Sequence, residues 1–145
     1  MAEIGSTICK SSDMSFVKRV EIRWRDMDGF GHVNNAVFLT YLEEARDELF
    51  TGLLGDVTHR MVLRHTTVDF RSGLVQADDL VDVSLDVVRI GSSSVTTRET
   101  ITAVSDARIA AIAESVMVHC DEARLAASPL PDASRRLLEG ILCPP

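Results

Sequence analysis

The sequence predicts a single α+β domain in which a mainly antiparallel sheet wraps around one long helix. Three observations support this prediction. An alternating segment is followed by one long helical period, and four more alternating segments then follow with only short turns between them. The length of 145 residues suits one domain with one core. Parallel strands need long crossovers, usually helices, and the sequence offers no further helices for them.

The first strand follows a Ser-rich segment, residues 1–15, which has no hydrophobic period and is expected to be a flexible tail. Beyond it, Phe16, Val20, Ile22 and Trp24 lie on one side of an alternating pattern. Such alternation is typical of a half-buried strand. We therefore expect one strand from Phe16 to about Trp24, with these four side chains facing the core.

The long helix is predicted from apolar residues that recur at helical spacing: Phe38, Leu42, Ala45, Leu49 and Leu53. Asn34 or Asn35 can cap its start, because an Asn side chain accepts a hydrogen bond from a free backbone N–H. Gly52 and Gly55 can end it. Outside a short charged stretch the segment is apolar nearly all round, so we expect it to be largely surrounded by protein.

The other elements are four strands joined by turns and a short final helix. The strands are expected over about residues 60–71, 80–90, 93–104 and 108–121. Gly91-Ser92 and Ser105-Asp106 provide hairpin turns between the later strands. An amphipathic helix over residues 132–140 closes the domain. The domain is thus predicted over residues 16–140, followed by a tail at 141–145.

Composition excludes several classes of partner. The formal net charge is -7, whereas affinity for nucleic acid depends on a basic surface. The sequence contains neither the apolar run of about 18 residues that a membrane span requires nor a secretory signal at its start. We therefore expect no nucleic acid partner, no membrane partner and a cytoplasmic location.

One segment carries recognisable chemistry. Asp26-Met27-Asp28-Gly29-Phe30-Gly31 is followed directly by the long helix with its aromatic residues. This D-x-D-x-x-G loop and helix resemble those of hot-dog-fold acyl-CoA thioesterases of the 4-hydroxybenzoyl-CoA thioesterase type. The hairpin at 89–94 and the segment at 129–132, which leads into the final helix, also resemble the corresponding segments of that family. The resemblance implies a hot-dog fold, an acyl-CoA thioester as substrate, no cofactor, and a homodimer or homotetramer.

The resemblance also implies roles for individual residues. Asp28 corresponds to the catalytic carboxylate, and Asn35 to the residue whose backbone N–H meets the thioester carbonyl oxygen. A helix N-terminus suits that second role, because its unpaired N–H groups and partial positive charge stabilise a developing oxyanion. His32 and Asn34 are candidates for orienting water, and Gly31 and Asn34 for contacting substrate. Asp28 can act as nucleophile or as general base, and the sequence leaves both open.

Simpler interpretations stand beside these roles. An Asp-x-Asp before a helix is often only capping and turn chemistry, which is the reading kept for Asp26. His32 is equally well explained as a structural loop residue. Arg89, Ser93 and Ser94 match the hairpin where relatives often hold the pantetheine arm or the nucleotide of coenzyme A, but a Gly-Ser cluster can also be a solvated turn.

No metal site is predicted, because neither the histidines nor the three cysteines have the spacing of metal ligands. A G-x-S-x-G nucleophile motif and the nucleotide-binding glycine motifs are also missing from the sequence. Two alternatives to hydrolysis remain: a hot-dog dehydratase that acts on 3-hydroxyacyl thioesters through His32, and a non-catalytic acyl-CoA binding or sensing module. Open sheet edges give an independent reason to expect a homodimer or homotetramer.

Overall fold

The structure is a computed structural model, and it describes residues 15–55, 60–121, 123 and 126–145. Most of the predicted N-terminal tail, Cys9 and His59 lie outside the described residues. The strands are β1 Phe16–Glu21, β2 Met61–Phe70, β3 Leu80–Ile90, β4 Ser94–Ala103 and β5 Ile109–His119. The helices are α1 Asn35–Leu54 and α2 Asp132–Glu139, and short 3-10 turns span Trp24–Asp26 and Gln76–Asp78.

The five strands form one sheet in the order β1-β3-β4-β5-β2, and every neighbouring pair is antiparallel. Helix α1 packs on one face of this sheet, so the predicted α+β architecture is confirmed. Apolar and polar residues alternate along β3, which explains how the helix packs on one face of the sheet. Val81, Val83 and Leu85 are buried against the helix, whereas Asp82 and Ser84 between them are half-buried on the other face. Neither of the described helices is long and apolar enough to cross a bilayer.

Helix α1 is capped as predicted at its start. The Asn34 side chain accepts a hydrogen bond from the Ala36 N–H at 2.9 Å, and Gly55, with φ of 79°, terminates the helix. Gly52 lies inside the helix instead of ending it. The residues buried on α1 are Phe38, Tyr41, Leu42, Ala45, Arg46, Leu49, Phe50 and Leu54.

Arg46 is buried, although it belongs to the short charged stretch of the helix, residues 43–48. Its side chain is 4% exposed, and its Nη1 donates to both carboxylate oxygens of Glu99 on β4, at 3.0 and 3.1 Å. The hydroxyls of Thr97 and Ser115 donate to the same carboxylate. A buried charge pair is tolerated only when its polar atoms are satisfied in this way. The network fastens α1 to β4 and β5.

The first strand is shorter than predicted. β1 stops at Glu21, and the chain then enters the turn at Trp24–Asp26, which rotates the indole outward. Trp24 is 78% exposed, so the expectation that it faces the core is wrong. Val20 and Ile22 do face the core, as predicted.

The sheet has two ends that matter for the site. At one end, which we call the loop end, β2 finishes at Phe70 and β3 begins at Leu80. At the hairpin end, β3 turns through residues 90–94 into β4, beside the start of β2 at Met61. Strand β2 has 10 residues, and at about 3.3 Å per residue the two ends are roughly 30 Å apart.

Candidate active site

The segment between β1 and α1 folds into a small hairpin. At its base, the carbonyl oxygen of Asp26 accepts the Asn34 N–H at 2.9 Å, and nearer the tip the Asp28 N–H donates to the His32 carbonyl at 2.7 Å. Gly31 at the tip has φ of 77°, a conformation that glycine adopts without steric cost. The sequence D-x-D-x-x-G-H thus builds a compact loop that directs the Asp28 side chain.

The two carboxylate oxygens of Asp28 have different surroundings. Oδ1 accepts the backbone N–H groups of Phe30 at 2.8 Å and His32 at 3.2 Å. Oδ2 accepts no hydrogen bond from the described residues. Oδ1 therefore accepts the backbone hydrogen bonds of an ordinary Asx turn. The second remains available to a ligand or to water.

Asp28 lines a cleft between the start of α1 and the end of β2, which we call the helix cleft. Its volume is about 330 Å³, and its lining residues are Asp28, His32, Val33, Asn35, Phe38, Phe70, Arg71, Ser72 and Gly73. The structure thus brings together the three residues that the sequence analysis proposed as catalytic: Asp28, His32 and Asn35.

The backbone N–H of Asn35 opens helix α1 and has no acceptor in the described part of the chain. Its neighbours are satisfied, because the Asn34 side chain accepts the Ala36 N–H and the Asn34 carbonyl accepts the Val37 N–H at 2.8 Å. Free N–H groups at a helix start carry a partial positive charge. One carboxylate and one oxyanion donor consequently lie on the same cleft. The Asn34 side chain itself is engaged in the cap.

Asp26 anchors this arrangement from inside the protein. Its buried carboxylate accepts hydrogen bonds from the Tyr41 hydroxyl at 2.7 Å and the Arg23 N–H at 2.9 Å, and the Arg23 guanidinium lies 3.3 Å away. Burial is the strongest single influence and opposes ionisation of Asp26. The hydrogen bonds from Arg23 and Tyr41 together outweigh burial and hold the pKa of Asp26 below its usual value.

Tyr41 is fully buried on α1, and its hydroxyl has Asp26 as partner. Burial, followed by the hydrogen bond to the Asp26 carboxylate, raises the pKa of Tyr41 well above its usual value. A raised pKa favours the protonated phenol, which is the form that donates this hydrogen bond. The bond joins the helix to the base of the loop that carries Asp28.

The opposite wall of the helix cleft comes from residues distant in sequence. Phe70, at the end of β2, packs edge-to-face on Phe38 with ring centroids 5.3 Å apart. Beyond it, the Arg108 guanidinium donates to the Ser72 hydroxyl and to the Gly73 carbonyl, each at 3.1 Å. The position of this wall therefore depends on a side chain in the turn between β4 and β5.

None of the five predicted substrate contacts, Asn34 included, is among the residues that line the helix cleft. Arg89, Ser93 and Ser94 lie at the hairpin end of the sheet, whereas the cleft is at the loop end of the same chain. Gly31 lines a separate cleft on the other side of the loop. This Trp24 cleft, of about 660 Å³, is lined by Trp24, Arg25, Met27, Asp28, Gly29, Gly31 and Gln76.

Sequence reasoning missed Phe70, Ser72, Gly73 and Arg108 as parts of the site. They come together only because β2 lies beside β5 at the edge of the sheet, and no local pattern reports that placement. Tyr41 had a weak signal, since it is the one tyrosine and lies in the second turn of a largely apolar helix. In the described part of the chain, no three His, Cys, Asp or Glu side chains are grouped closely enough to bind a metal ion.

A model of the thioesterase-like superfamily matches residues 22–138 of the chain. A thioesterase from Thermus thermophilus, solved with coenzyme A and Zn, is 33% identical, with 89% of this chain and 95% of that chain covered and a TM-score of 0.79. A predicted thioesterase from Bacillus stearothermophilus is 28% identical over 90% of this chain and 98% of that chain, with a TM-score of 0.81.

A 1,4-dihydroxy-2-naphthoyl-CoA thioesterase from Synechocystis shares the fold, with 20% identity, 86% and 95% of the two chains covered, and a TM-score of 0.74. No curated protein matches the chain. The hot-dog fold expected from the loop and helix motif is confirmed by these matches.

Proposed function

Because the chain belongs to the thioesterase-like superfamily, we propose that it hydrolyses acyl-CoA thioesters to a free acid and coenzyme A. The observation that carries the proposal is that Asp28, with its carboxylate, and Asn35, with its free N–H, line the same cleft. Coenzyme A is present in the similar Thermus thermophilus thioesterase, which supports an acyl-CoA substrate. The narrower assignment to the 4-hydroxybenzoyl-CoA thioesterase type rests on the D-x-D-x-x-G loop and is part of this proposal.

In the proposed reaction, the thioester carbonyl oxygen points at the Asn35 N–H and the carbonyl carbon faces Asp28. As a nucleophile, Asp28 attacks this carbon, the C–S bond breaks, coenzyme A leaves as its thiol after taking a proton, and water hydrolyses the mixed anhydride. As a general base, Asp28 removes a proton from the water that attacks this carbon; the C–S bond then breaks, and the thiolate takes up a proton to leave as coenzyme A. In both routes negative charge develops on the carbonyl oxygen, where the helix start stabilises it.

The decisive variant is Asp28→Asn, which keeps the shape of the side chain and removes its charge. Loss of such a group typically lowers kcat by about a hundredfold or more. The matched control is Asp121→Asn, because Asp121 Oδ1 also accepts a backbone N–H two residues ahead, at 2.8 Å, but lies away from the helix cleft. Thiol release from acyl-CoA esters should fall only in the first variant. Equal activity of the two variants would refute the role of Asp28.

The two routes differ in whether the enzyme is acylated. Only nucleophilic attack adds the acyl mass to Asp28, so mass spectrometry of protein quenched during turnover distinguishes them. An acylated peptide containing Asp28 is expected for the nucleophilic route. Hydroxylamine cleaves a mixed anhydride and can leave a hydroxamate on Asp28, so the absence of the acylated peptide without hydroxylamine and of the Asp28 hydroxamate with it assigns the carboxylate as a base.

One observation favours a second candidate: His32 lines the same cleft as Asp28, and a dehydratase would use such a pair on 3-hydroxyacyl thioesters. Incubation with an enoyl thioester separates the two activities, because a hydratase adds water across the double bond without releasing thiol. Thermal stabilisation by acyl-CoA with neither reaction would indicate a non-catalytic binding or sensing module.

We propose that the working unit is a homodimer, or a homotetramer built from it, formed through the exposed edge of β2. Most side chains of β2 are exposed, including Val62 and Leu63, and its outer backbone groups have no neighbouring strand in the isolated chain. Exposed edge strands are sites of pairing between chains. A twofold axis there would pair β2 antiparallel with its copy.

This pairing gives the distant hairpin a role. Antiparallel pairing puts the hairpin end of one copy level with the loop end of the other. The partner hairpin then lies about three to four strands, or roughly 15–20 Å, to the side of the helix cleft. We propose that Arg89, Ser93 and Ser94 of the second copy bind the nucleotide end of coenzyme A. In an Arg89→Ala variant, KM for acyl-CoA should rise while kcat is retained.

A further inference from the structure

The first and the last described strand-like segments lie along one edge of β3. Phe16 of β1 pairs with Leu85, and Leu142, which follows α2, forms a parallel bridge with Val87. Because β4 occupies the other edge of β3, Phe16 and Leu142 share an edge, opposite positions that are roughly 7 Å apart. The backbone N–H of Cys143 donates to the Val87 carbonyl at 2.7 Å. Cys143 is therefore close to the start of β1.

A groove separates these two segments, and we call it the terminal groove. Its volume is about 230 Å³. Its lining is mostly apolar and includes Phe16, Leu49, Leu85, Val87 and Ile141. Ser15 also lines the groove, and its hydroxyl donates to the Asp86 carboxylate at 2.6 Å. Residues 1–14, which we call the N-terminal segment, therefore join the chain at the groove itself.

The cysteines indicate what holds the N-terminal segment there. Cys143 is disulfide-bonded, whereas Cys120 is free and buried. The chain has three cysteines, so the partner available to Cys143 within one chain is Cys9. Cys9 precedes Ser15 by six residues, a length that spans at most about 20 Å when extended. Cys9 can therefore reach Cys143 from the start of β1.

We propose that Cys9 and Cys143 form a reversible disulfide that holds the N-terminal segment in the terminal groove, with the Ile8 side chain against its apolar wall. Ile8 directly precedes Cys9, so the same bond brings it to the groove. Burial of an aliphatic side chain between apolar walls is favourable. The proposal goes beyond the proposed function, because neither the helix cleft nor the β2 edge takes part in it.

The bond responds to the redox state through thiol–disulfide exchange. With oxidised glutathione as the oxidant, one protein thiolate attacks the small disulfide and releases one glutathione thiol. The second protein thiolate then attacks the mixed disulfide and releases the other glutathione thiol. Two protein thiols and one small disulfide thus become one protein disulfide and two small thiols. Cytosolic disulfides are usually transient or redox-sensing, so the cytoplasmic location predicted from the sequence implies a switch instead of a permanent bond.

The first test identifies the bond. The full-length protein is treated with oxidised glutathione or with dithiothreitol, alkylated, and digested with trypsin without further reduction. Lys10 ends the peptide that contains Cys9, and Arg136 precedes the peptide that contains Cys143. These two peptides should be linked in the oxidised protein and separate in the reduced protein. Glutathione on Cys143, or a Cys143 bond between two chains on a non-reducing gel, would overturn the proposal.

The second test asks whether the segment lies in the groove. Brief trypsin treatment should cleave after Lys10 roughly tenfold more slowly in the oxidised protein than in the reduced protein. Ile8→Asp should restore rapid cleavage in the oxidised protein, because a charge is costly between apolar walls. The matched control is Ser6→Asp, which adds the same charge two residues away and should leave the protection intact.

Equal cleavage of the oxidised and reduced wild-type protein would refute the proposal. Protection of oxidised Ile8→Asp equal to that of the oxidised wild type would refute the contact between Ile8 and the groove.

The third measurement is thermal unfolding. A disulfide between residues 9 and 143 restricts most of the unfolded chain, so oxidation should raise Tm by roughly 5–15 °C. The Cys143→Ser variant should lose this dependence on the redox state. Cys120→Ala is the matched control, because it removes a cysteine and leaves the proposed pair intact. An oxidised wild-type protein with the Tm of the reduced one, or a Cys143→Ser variant that retains the shift, would contradict the bond.

Discussion

The Tyr41 hydroxyl donates to Oδ2 of Asp26 at 2.7 Å, across 15 positions of sequence. Asp26 closes the base of the loop that carries Asp28, and Tyr41 is part of the helix whose first N–H belongs to Asn35. One buried hydrogen bond thus holds the loop with the proposed carboxylate in a fixed position relative to the helix with the proposed oxyanion donor. Separate elements that act on one carbonyl carbon need such a fixed relation, since misplacement of about 1 Å can cost a hundredfold in rate.

Tyr41→Phe should lower both stability and kcat. The loss of a buried hydrogen bond to a charged group typically costs about 2 kcal/mol. Because the loop is then less firmly held, kcat should fall while KM changes little. Thr97→Val is the control, since it removes a hydroxyl bond to the buried Glu99 carboxylate away from the cleft. Denaturant unfolding should show a loss of stability in both variants, and hydrolysis should slow only in Tyr41→Phe. Slower hydrolysis in both variants would show that Tyr41 affects activity only through the stability of the protein.

The same pair predicts how stability depends on pH. The pKa of Asp26 is lowered in the folded state, so its stabilisation is present above its usual value of 3.8 and is lost as pH falls through the lower folded value. The pKa of Tyr41 is raised, so its stabilisation is complete below its usual value of 10.0 and declines as pH rises beyond it. Urea unfolding across pH should show both limbs. Asp26→Asn should reduce the acid limb, to which Asp78 and Asp82 with their lowered pKa values also contribute, and Tyr41→Phe should reduce the alkaline limb.

Local patterns predicted most of the fold and three of the nine residues that line the helix cleft, for a physical reason. Helix α1 and the strands follow from periods of side chains, and Asp28, His32 and Asn35 are within eight residues of one another, so they stay near one another wherever the loop is placed. The wall at Phe70 depends on sheet order, which no local period encodes. Trp24 was wrongly placed because its alternation continues past Glu21, where the backbone leaves the strand.

Arg46 and Glu99 should show strong coupling in a double-mutant cycle. Removal of one member leaves a buried charge without its partner, so Arg46→Met should cost about 3–5 kcal/mol of unfolding free energy. Arg46→Met with Glu99→Leu should be less damaging than the sum of the two single changes. Chemical denaturation of the four proteins gives the coupling. An additive result would mean that the buried pair contributes no specific interaction.

Arg108→Ala should weaken substrate binding, because it releases the wall at Ser72 and Gly73 that faces Asp28. We expect KM to rise and kcat to change less, since the carboxylate and the helix start are not contacted. Arg19→Ala is the matched control: Arg19 makes two bonds to Asp82, at 2.8 and 2.9 Å, on a strand away from the cleft. Unchanged KM in Arg108→Ala would show that the wall holds its position without this side chain.

The exposed edge of β2 should determine both assembly and activity. Val62 is 48% exposed on this edge strand, and Val17 is 52% exposed on the edge strand β1 at the other side of the sheet. A lysine on a pairing edge opposes association, because its charge would have to be desolvated in the interface. Val62→Lys should therefore convert the oligomer to a monomer in gel filtration, whereas Val17→Lys should not.

If the second copy completes the coenzyme A site, the monomer should also show a raised KM for acyl-CoA and nearly normal kinetics with an N-acetylcysteamine ester, which lacks the nucleotide. A monomeric Val62→Lys protein with an unchanged KM for acyl-CoA would contradict a shared site, and a variant that remains oligomeric would move the interface away from β2.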